Sequence, residues 1–485
     1  MKKLLVCLYL TISIGCLQAQ VDTVPKISLN NPLHKTDSTT ITPDSLIVKV
    51  KLPYVDIPDA NFRKYLLKND SINTNRDSII SFSEAAAVKN LSVDSLLISD
   101  LTGIEDFTTL TYLNCSDNLL HSLNVSANNK LSWLICSNNK LISLDLSKNF
   151  YLTDLNCDFN SLPVLTIVSD TLLTSLHCSH NQLKSLNTSS FTKLIELDCD
   201  GNLIKEIDLD KNIALKRLIC SHNELEKLNV SSNEALTELD CSRNKLTRLN
   251  VSTNPLLTML YCNNNQINTL AVSTNTTLQD LWCHNNQLTS LNLRGTIGLT
   301  RLSCSDNKLS LLNINTNKAL TAVYCNNNQL TNLAVISNTD LQNLGCSRNM
   351  LSSLDVSKNK ILNELWCDNA QLKTLDLSDH TMLTGLWCYN NQLSAIDVGN
   401  DSALVSLSCL NNQLTSLDLS NNTNLLYLWC YNNPNLKTVC LNPIQMKLTN
   451  NIKTVLEKDA SCSWSITDCQ AVKPETSKSL PKTKK

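Results

Sequence analysis

Glycine and proline are scarce, with eight and eleven in 485 residues. That excludes a collagen-like rod and a chain built mostly of loops. Charge is almost balanced, 41 Lys and Arg against 43 Asp and Glu for a net −2, so no global field steers the chain toward nucleic acid or an anionic membrane. Beyond the N-terminal segment no apolar run approaches the ~20 residues of a bilayer-spanning helix. There is no His-Glu-x-x-His, no Gly-x-Ser-x-Gly and no glycine-rich phosphate loop, and the seven histidines are scattered. The chain is therefore read as non-enzymatic.

Cysteine, by contrast, is abundant and regular. Sixteen cysteines from Cys115 to Cys430 follow one another at intervals of 21 residues without a slip. A fixed period near twenty residues is the signature of a solenoid, in which each unit packs only on its neighbours. Counted from each cysteine, leucine stands five before in every unit and two before in all but one, the exception being Val323. Asparagine stands three after in fifteen, with Ala370 the exception, and aliphatics follow at five, eight and usually ten. The unit reads Leu-x-x-Leu-x-Cys-x-x-Asn-x-Leu-x-x-Leu-x-Val-Ser-x-Asn-x-x.

This spacing has a physical reading. Leu-x-Cys is a period-two step, so both side chains leave a short strand on one side, and stacked units form a parallel ladder of ~4.8 Å per rung. The Leu-x-Val half offers a second extended stretch opposite, and 21 residues leave no room for a three-turn helix. The asparagine amide is expected to satisfy backbone groups where the ladder bends. Rung-to-rung disulfides are disfavoured, because in-register Cβ atoms lie ~4.8 Å apart against the ~3.5–4.5 Å of a bridge. Zinc needs ligands converging on a point, and a nucleophile needs a base that does not recur here. The cysteines are small core fillers.

The unit resembles the 21-residue IRREKO class of bacterial leucine-rich repeats, found in proteins akin to the internalins, and the resemblance covers about residues 57–469. It implies a leucine-rich-repeat solenoid: a parallel β-ladder of about 16 regular repeats with little helix, closed by a small helical N-terminal cap and a short C-terminal cap. It also implies an exported or surface protein whose repeats present a ligand-binding face, with partners that vary among members.

The expected divisions are a signal peptide at 1–19, a Ser/Thr/Pro-rich linker at 20–55, an N-terminal cap at 56–90, repeats at 91–439, a C-terminal cap at 440–470 and a basic tail at 471–485. Lys2 and Lys3 before an apolar run to Ile14 make an export signal. Either cleavage after Ala19 leaves a soluble product, or Ser13-Ile14-Gly15-Cys16 resembles a lipoprotein box with Cys16 lipidated. In the N-terminal cap, Asp59 is placed to cap a helix carrying Phe62, Tyr65, Leu66 and Leu67. Asn73, Asn75, Asp77, Ser81 and Glu84 then follow the spacing of an EF-hand calcium loop, with Ile80 buried and a helix from Glu84 to Lys89. Asn73 in place of Asp and Ser78 in place of Gly depart from that pattern, so the alternative is a helix-loop-helix cover without metal. At the far end Cys440, Cys462 and Cys469 resemble a terminal cap in which an oxidising compartment allows one bridge. Cys440 with Cys469 is the pairing preferred, leaving Cys462 over.

Ligand-binding residues must lie where the repeat leaves freedom, at three before, one before and one after each cysteine. The column one before carries Tyr261, Trp282, Tyr324, Trp366, Trp387 and Trp429, flanked by Tyr389, Tyr427 and Tyr431. Large aromatics in register on a solvated face point to a protein partner, or to a glycan stacked on Trp282, Trp366, Trp387 and Trp429. Cross-rung stacking that stiffens the sheet is the structural alternative. The first half instead carries Asp154, Asp158, Glu196, Asp198, Asp200, Glu238 and Asp240 with Arg217, which suggests a cationic partner or a merely solvated face.

Overall fold

The computed structural model describes residues 53–167, 172–448 and 455–466. The expected signal peptide, most of the linker, Cys16, Cys469 and the basic tail lie outside them. An 18-stranded parallel sheet runs the length of the described chain. It begins with Asn90–Ser92, continues through sixteen three-residue strands from Tyr112–Asn114 to Tyr427–Trp429, and ends on Val455–Glu457. Each of the sixteen immediately precedes a column cysteine and is called here the rung of that cysteine. Register advances by one repeat at every step, as in Leu239 opposite Leu260 and Asp240 opposite Tyr261. The rung carries on through the cysteine, whose amide donates to the carbonyl of the next rung, as Cys241 to Tyr261 at 2.8 Å.

The core follows the sequence pattern. Both leucines of the rung segment and all sixteen column cysteines are buried, along with the aliphatics of the opposite side such as Leu246, Leu249 and Val251. Burial pushes the column thiols well up, that of Cys115 to about 12. The opposite side is extended but rarely paired: only Asp145–Leu146 with Thr166–Ile167, Leu249–Asn250 with Leu270–Ala271, and a last three-stranded group form ladders there among the described residues. Elsewhere two tight turns take the chain back, as Asn254 donating to Val251 and Leu257 to Asn254.

The asparagine three after each cysteine does what its position requires. Asn244 Nδ2 donates to the carbonyls of Cys220, Cys241 and Ser242 at 3.0, 3.1 and 3.1 Å, and its Oδ1 accepts from Leu225 N at 2.9 Å. One side chain thus ties two rungs. At Ala370 that link is missing, and the neighbouring Asn369 does not replace it, since its amide donates to Asp368 Oδ2 instead. Two further columns have structural roles. Two residues after each cysteine the backbone is left-handed in all sixteen rungs, from Asp117 (φ 54°) through Gly201 (φ 63°) to Asn432 (φ 54°). Asn and Asp tolerate that corner best, which accounts for their prevalence there. Thirteen after the cysteine a second buried asparagine column bonds backward along the opposite side, as Asn254 Nδ2 to the carbonyls of Val230 and Asn233 at 3.0 and 2.8 Å.

Both ends are closed. Helix α1 (Ala60–Lys68) is capped by Asp59, whose Oδ1 accepts from the Asn61 and Phe62 amides while Oδ2 accepts from Ser99 of the first unit. Phe62 and Leu66 are buried, and Tyr65 and Leu67 pack beside them. Helix α2 spans Phe82–Ala87 rather than Glu84 to Lys89, because Ser81 forms a capping box with Glu84 and sets the start two residues earlier. At the other end, Asp459 accepts from the Asn432 and Asn433 amides at 3.0 and 3.1 Å, and Gln445 of helix α3 (Pro443–Leu448) donates to the Asn422 carbonyl at 2.6 Å. Each terminates one asparagine column.

Candidate functional site

The rungs present residues three before and one before the cysteine outward, while the residue between faces the core; the Trp133–Ile135 and Asp154–Asn156 rungs show this pattern of outer exposure and central burial. The residue after the cysteine joins the same face. All the aromatic positions picked out by sequence are on it, but they form clusters rather than one continuous column. Tyr261 meets Trp282 edge-on at 5.3 Å. Tyr324 leans to 6.1 Å from Trp366 across the Gly345 rung, and Trp366 stacks on Trp387 at 5.0 Å with an interplanar angle of 8°. Tyr427 lies beside Trp429 at 6.2 Å. Ser303, Gly345 and Ser408 interrupt the column between rings. Gly385 lets Trp387 fold onto the strand, since a Cβ there would come within 2.5 Å of the indole. Trp282 and Tyr427 remain 42% and 37% exposed, and Tyr324, Trp366, Trp387, Tyr389, Trp429 and Tyr431 are half-buried.

The acidic residues also share the face, yet they are not as bare as the sequence suggested. Arg217 bridges Glu196 and, at 3.1 Å, Glu238, all three in register. Three histidines join them. His180 Nε2 and His222 Nδ1 lie 3.2 and 2.9 Å from the two oxygens of Asp200, and His177 Nε2 lies 3.7 Å from Glu196. His180 stacks on Phe159 at 4.4 Å and lies over Gly201, where a Cβ would come within 2.7 Å of its Nδ1. Sequence reasoning treated the histidines as scattered; their common place two after the cysteine was the signal for His180 and His222. Asp154 accepts from the Thr153 hydroxyl. Burial pushes the Asp158 carboxyl up to about 6, against the opposing Ser179 amide and with Asp198 adding to it, and burial likewise raises Asp240. Acidic groups on this strip are therefore partly neutralised from within. No group of three or more His, Cys, Asp or Glu able to hold a metal ion occurs among the described residues.

The calcium-loop residues are engaged otherwise. Glu84 Oε2 accepts from the Ser81 amide and hydroxyl, and Oε1 from the Thr74 amide and hydroxyl, so hydrogen bonds led by the Ser81 amide hold its carboxyl at about 2. Asn75 and Asp77 bond each other, and Asn73 Nδ2 faces the carbonyls of Leu67 and Asp77. Only Asn73 Oδ1 is buried without a partner among these oxygens. A bidentate carboxylate is the anchor of a calcium loop; here one Glu84 oxygen serves the capping box with Ser81 and the other is taken by Thr74. Cys440 is buried in Thr438–Cys440, while its expected partner Cys469 lies outside the described residues.

No protein-family model matches the chain, and neither does any curated protein. Solved structures do. The functional domain of InlJ from Listeria monocytogenes, which includes a cysteine ladder, is 32% identical over 79% of this chain and 80% of its own, with a TM-score of 0.64. YopM from Yersinia enterocolitica is 22% identical over 83% of this chain and 91% of its own, with a TM-score of 0.62. The leucine-rich-repeat protein LIC12759 of Leptospira interrogans is 21% identical over 86% of this chain and all of its own, with a TM-score of 0.59. The last two share the fold alone.

Proposed function

Because the chain belongs to the internalin family of leucine-rich-repeat proteins, we propose that it is an exported, non-catalytic scaffold that binds a protein ligand on the outward face of its strand ladder. The observation that carries this is the aromatic half of that face. The backbone there is already paired rung to rung and the asparagine columns already lock the register, so stability does not require Trp282 or Tyr427 to stand exposed. Apolar rings held on a rigid sheet lose little entropy on binding, and Trp and Tyr dominate interface energetics. Ring-to-ring stacking within clusters supports this by fixing the rings before a partner arrives.

The test is capture of proteins from an array by the full chain and by a Trp282→Ala, Tyr427→Ala, Trp429→Ala variant. Each buried anchor at an interface is worth ~2 kcal/mol or more, so the variant is expected to bind at least ~100-fold more weakly. Capture unchanged in the variant would place the ligand elsewhere. Export rests on the Lys2-Lys3 apolar segment, and no described helix is long and apolar enough to cross a membrane. Mass spectrometry of the mature N-terminus is expected to find either Gln20 or a lipid on Cys16. An intact Met1 on protein recovered from the medium or the cell surface contradicts both.

A further inference from the structure

At the two outward positions beside its cysteine the Cys346 rung presents little side chain. Gly345 stands one before the cysteine and the buried Ser347 one after, between Tyr324 and Asn326 on one side and Trp366 and Asp368 on the other. The result is a trough of about 380 Å³ across the ladder, within the lower range of small-ligand pockets. A Cβ on Gly345 would fall 2.8 Å from Asn326 Nδ2 and 3.1 Å from Tyr324 Cδ1, so any other residue would fill it. At one end Tyr324 and Trp366 lean together; Tyr389 closes one side, and Arg348, Asn327 and Asp306 form the far end.

The polar groups in the trough are of both kinds and only partly committed. Asn326 Oδ1 accepts from the Ser347 amide at 2.8 Å, while no described residue accepts from its Nδ2. The exposed Arg348 guanidinium has no ion-pair partner among the described residues, whose other salt bridges lie elsewhere. Asp306 accepts from Asn327 through Oδ1 alone, and Asp368 accepts from the Ser347 hydroxyl and from Asn369. A cationic guest would meet Arg348, and an anionic one would meet Asp306 and Asp368. A neutral polyol avoids both conflicts: its hydroxyls donate to Asp306, accept from Asn326 and Arg348, and its C–H face packs against the rings.

We propose that the trough at Gly345 and Ser347 is a binding site for a neutral oligosaccharide. This relocates the sugar-binding alternative considered for the tryptophan column, because Trp366 and Trp387 spend facing surfaces on each other. It is independent of the protein-ligand reading, which rests on the exposed rings of the Trp282 and Tyr427 clusters. The experiment titrates the full chain with maltotriose, cellotriose, chitotriose and N-acetyllactosamine, with sialyllactose and trilysine as charged comparators. Binding is followed by tryptophan fluorescence and by calorimetry. At least one neutral sugar is expected to bind saturably. Its affinity should hold in Trp282→Ala and Trp429→Ala and fall about tenfold, the equivalent of one or two hydrogen bonds, in Arg348→Asn and in Asn326→Ala. Asn suits the left-handed corner at 348, and unchanged melting of that variant separates lost contact from lost fold. Binding by none of the four neutral sugars, by a charged comparator alone, or with equal strength in both trough variants overturns the proposal.

Discussion

Replacing Asp401 by asparagine is expected to raise the melting temperature, and to raise it more at pH 8 than at pH 5. Asp401 occupies the second asparagine column, thirteen after Cys388, and is 0% exposed. Its neighbour in the column, Asn422, uses Nδ2 to donate to the carbonyls of Val398 and Asp401, both at 2.8 Å. A carboxylate in that setting has no N–H to give, and neither Asp401 oxygen has a hydrogen-bond partner. Burial therefore pushes its carboxyl up to about 8, with Asp397 adding to the shift.

The native state thus holds a proton there that the unfolded chain has released. The stability tied to this group is complete below pH ~4 and declines as the pH rises to about 8, where the buried carboxylate is finally forced to ionise. Asparagine removes the titration and restores the two donors. The gain is expected to be on the order of 2–3 kcal/mol at pH 8, read from thermal unfolding between pH 4 and 9. An identical Tm for both proteins at pH 8 would mean that the carboxyl is not buried. One repeat earlier His380, 1% exposed, has its imidazole held below the usual range by burial. Its contribution has the opposite sense: present at neutral pH, it is lost as the pH falls below the unfolded value of ~6.5. His380→Asn should therefore flatten the acid side of the same curve.

Asn244→Ala is the second large effect expected, in the other direction. The substitution deletes two bonds that join the Cys220 and Cys241 units, one donated to the Cys220 carbonyl and one accepted from the Leu225 amide, and two more donated within its own turn to the carbonyls of Cys241 and Ser242. Several of these partners are buried, so the loss is expected to be ~2–4 kcal/mol. In a solenoid that loss falls on one nearest-neighbour interface and weakens the coupling between the two halves. Urea unfolding followed by tryptophan fluorescence should show it as a lower midpoint or as a split transition. Ala370→Asn is the converse. There the Leu351 amide lacks the side-chain acceptor that Leu330 has in Asn349 and Leu372 has in Asn391, at 3.0 Å each. Supplying it should add ~1 kcal/mol. If Ala370→Asn destabilises while Asn244→Ala is silent, the asparagine column does not hold the rungs together.

Most of the scaffold was legible because its causes are local and repeated. A cysteine every 21 residues with leucine two before it sets a period-two rung, and identical units have one way to stack, so the parallel register, the buried thiols and the bonding of Asn118 to Asn433 follow from spacing. The start of α2 lies two residues earlier than expected because Ser81 and Glu84 form a capping box, which places the N-cap at Ser81. The left-handed corner went unnoticed although runs such as Asn263-Asn264-Asn265 carry it, since each of those asparagines has a different task.

What the chain of residues determined by itself is therefore the one-dimensional part: which positions are core, which are turn, which face outward. Tertiary structure alone decided how outward residues meet. Arg217 between Glu196 and Glu238, His180 lying over Gly201 beside Asp200, and the trough at Gly345 all join residues about 21 apart. These depend on ring and side-chain orientation across rungs ~4.8 Å apart. A period repeats the backbone, whereas the side chains on its free positions are different at every rung, and their contacts exist only once the rungs are stacked.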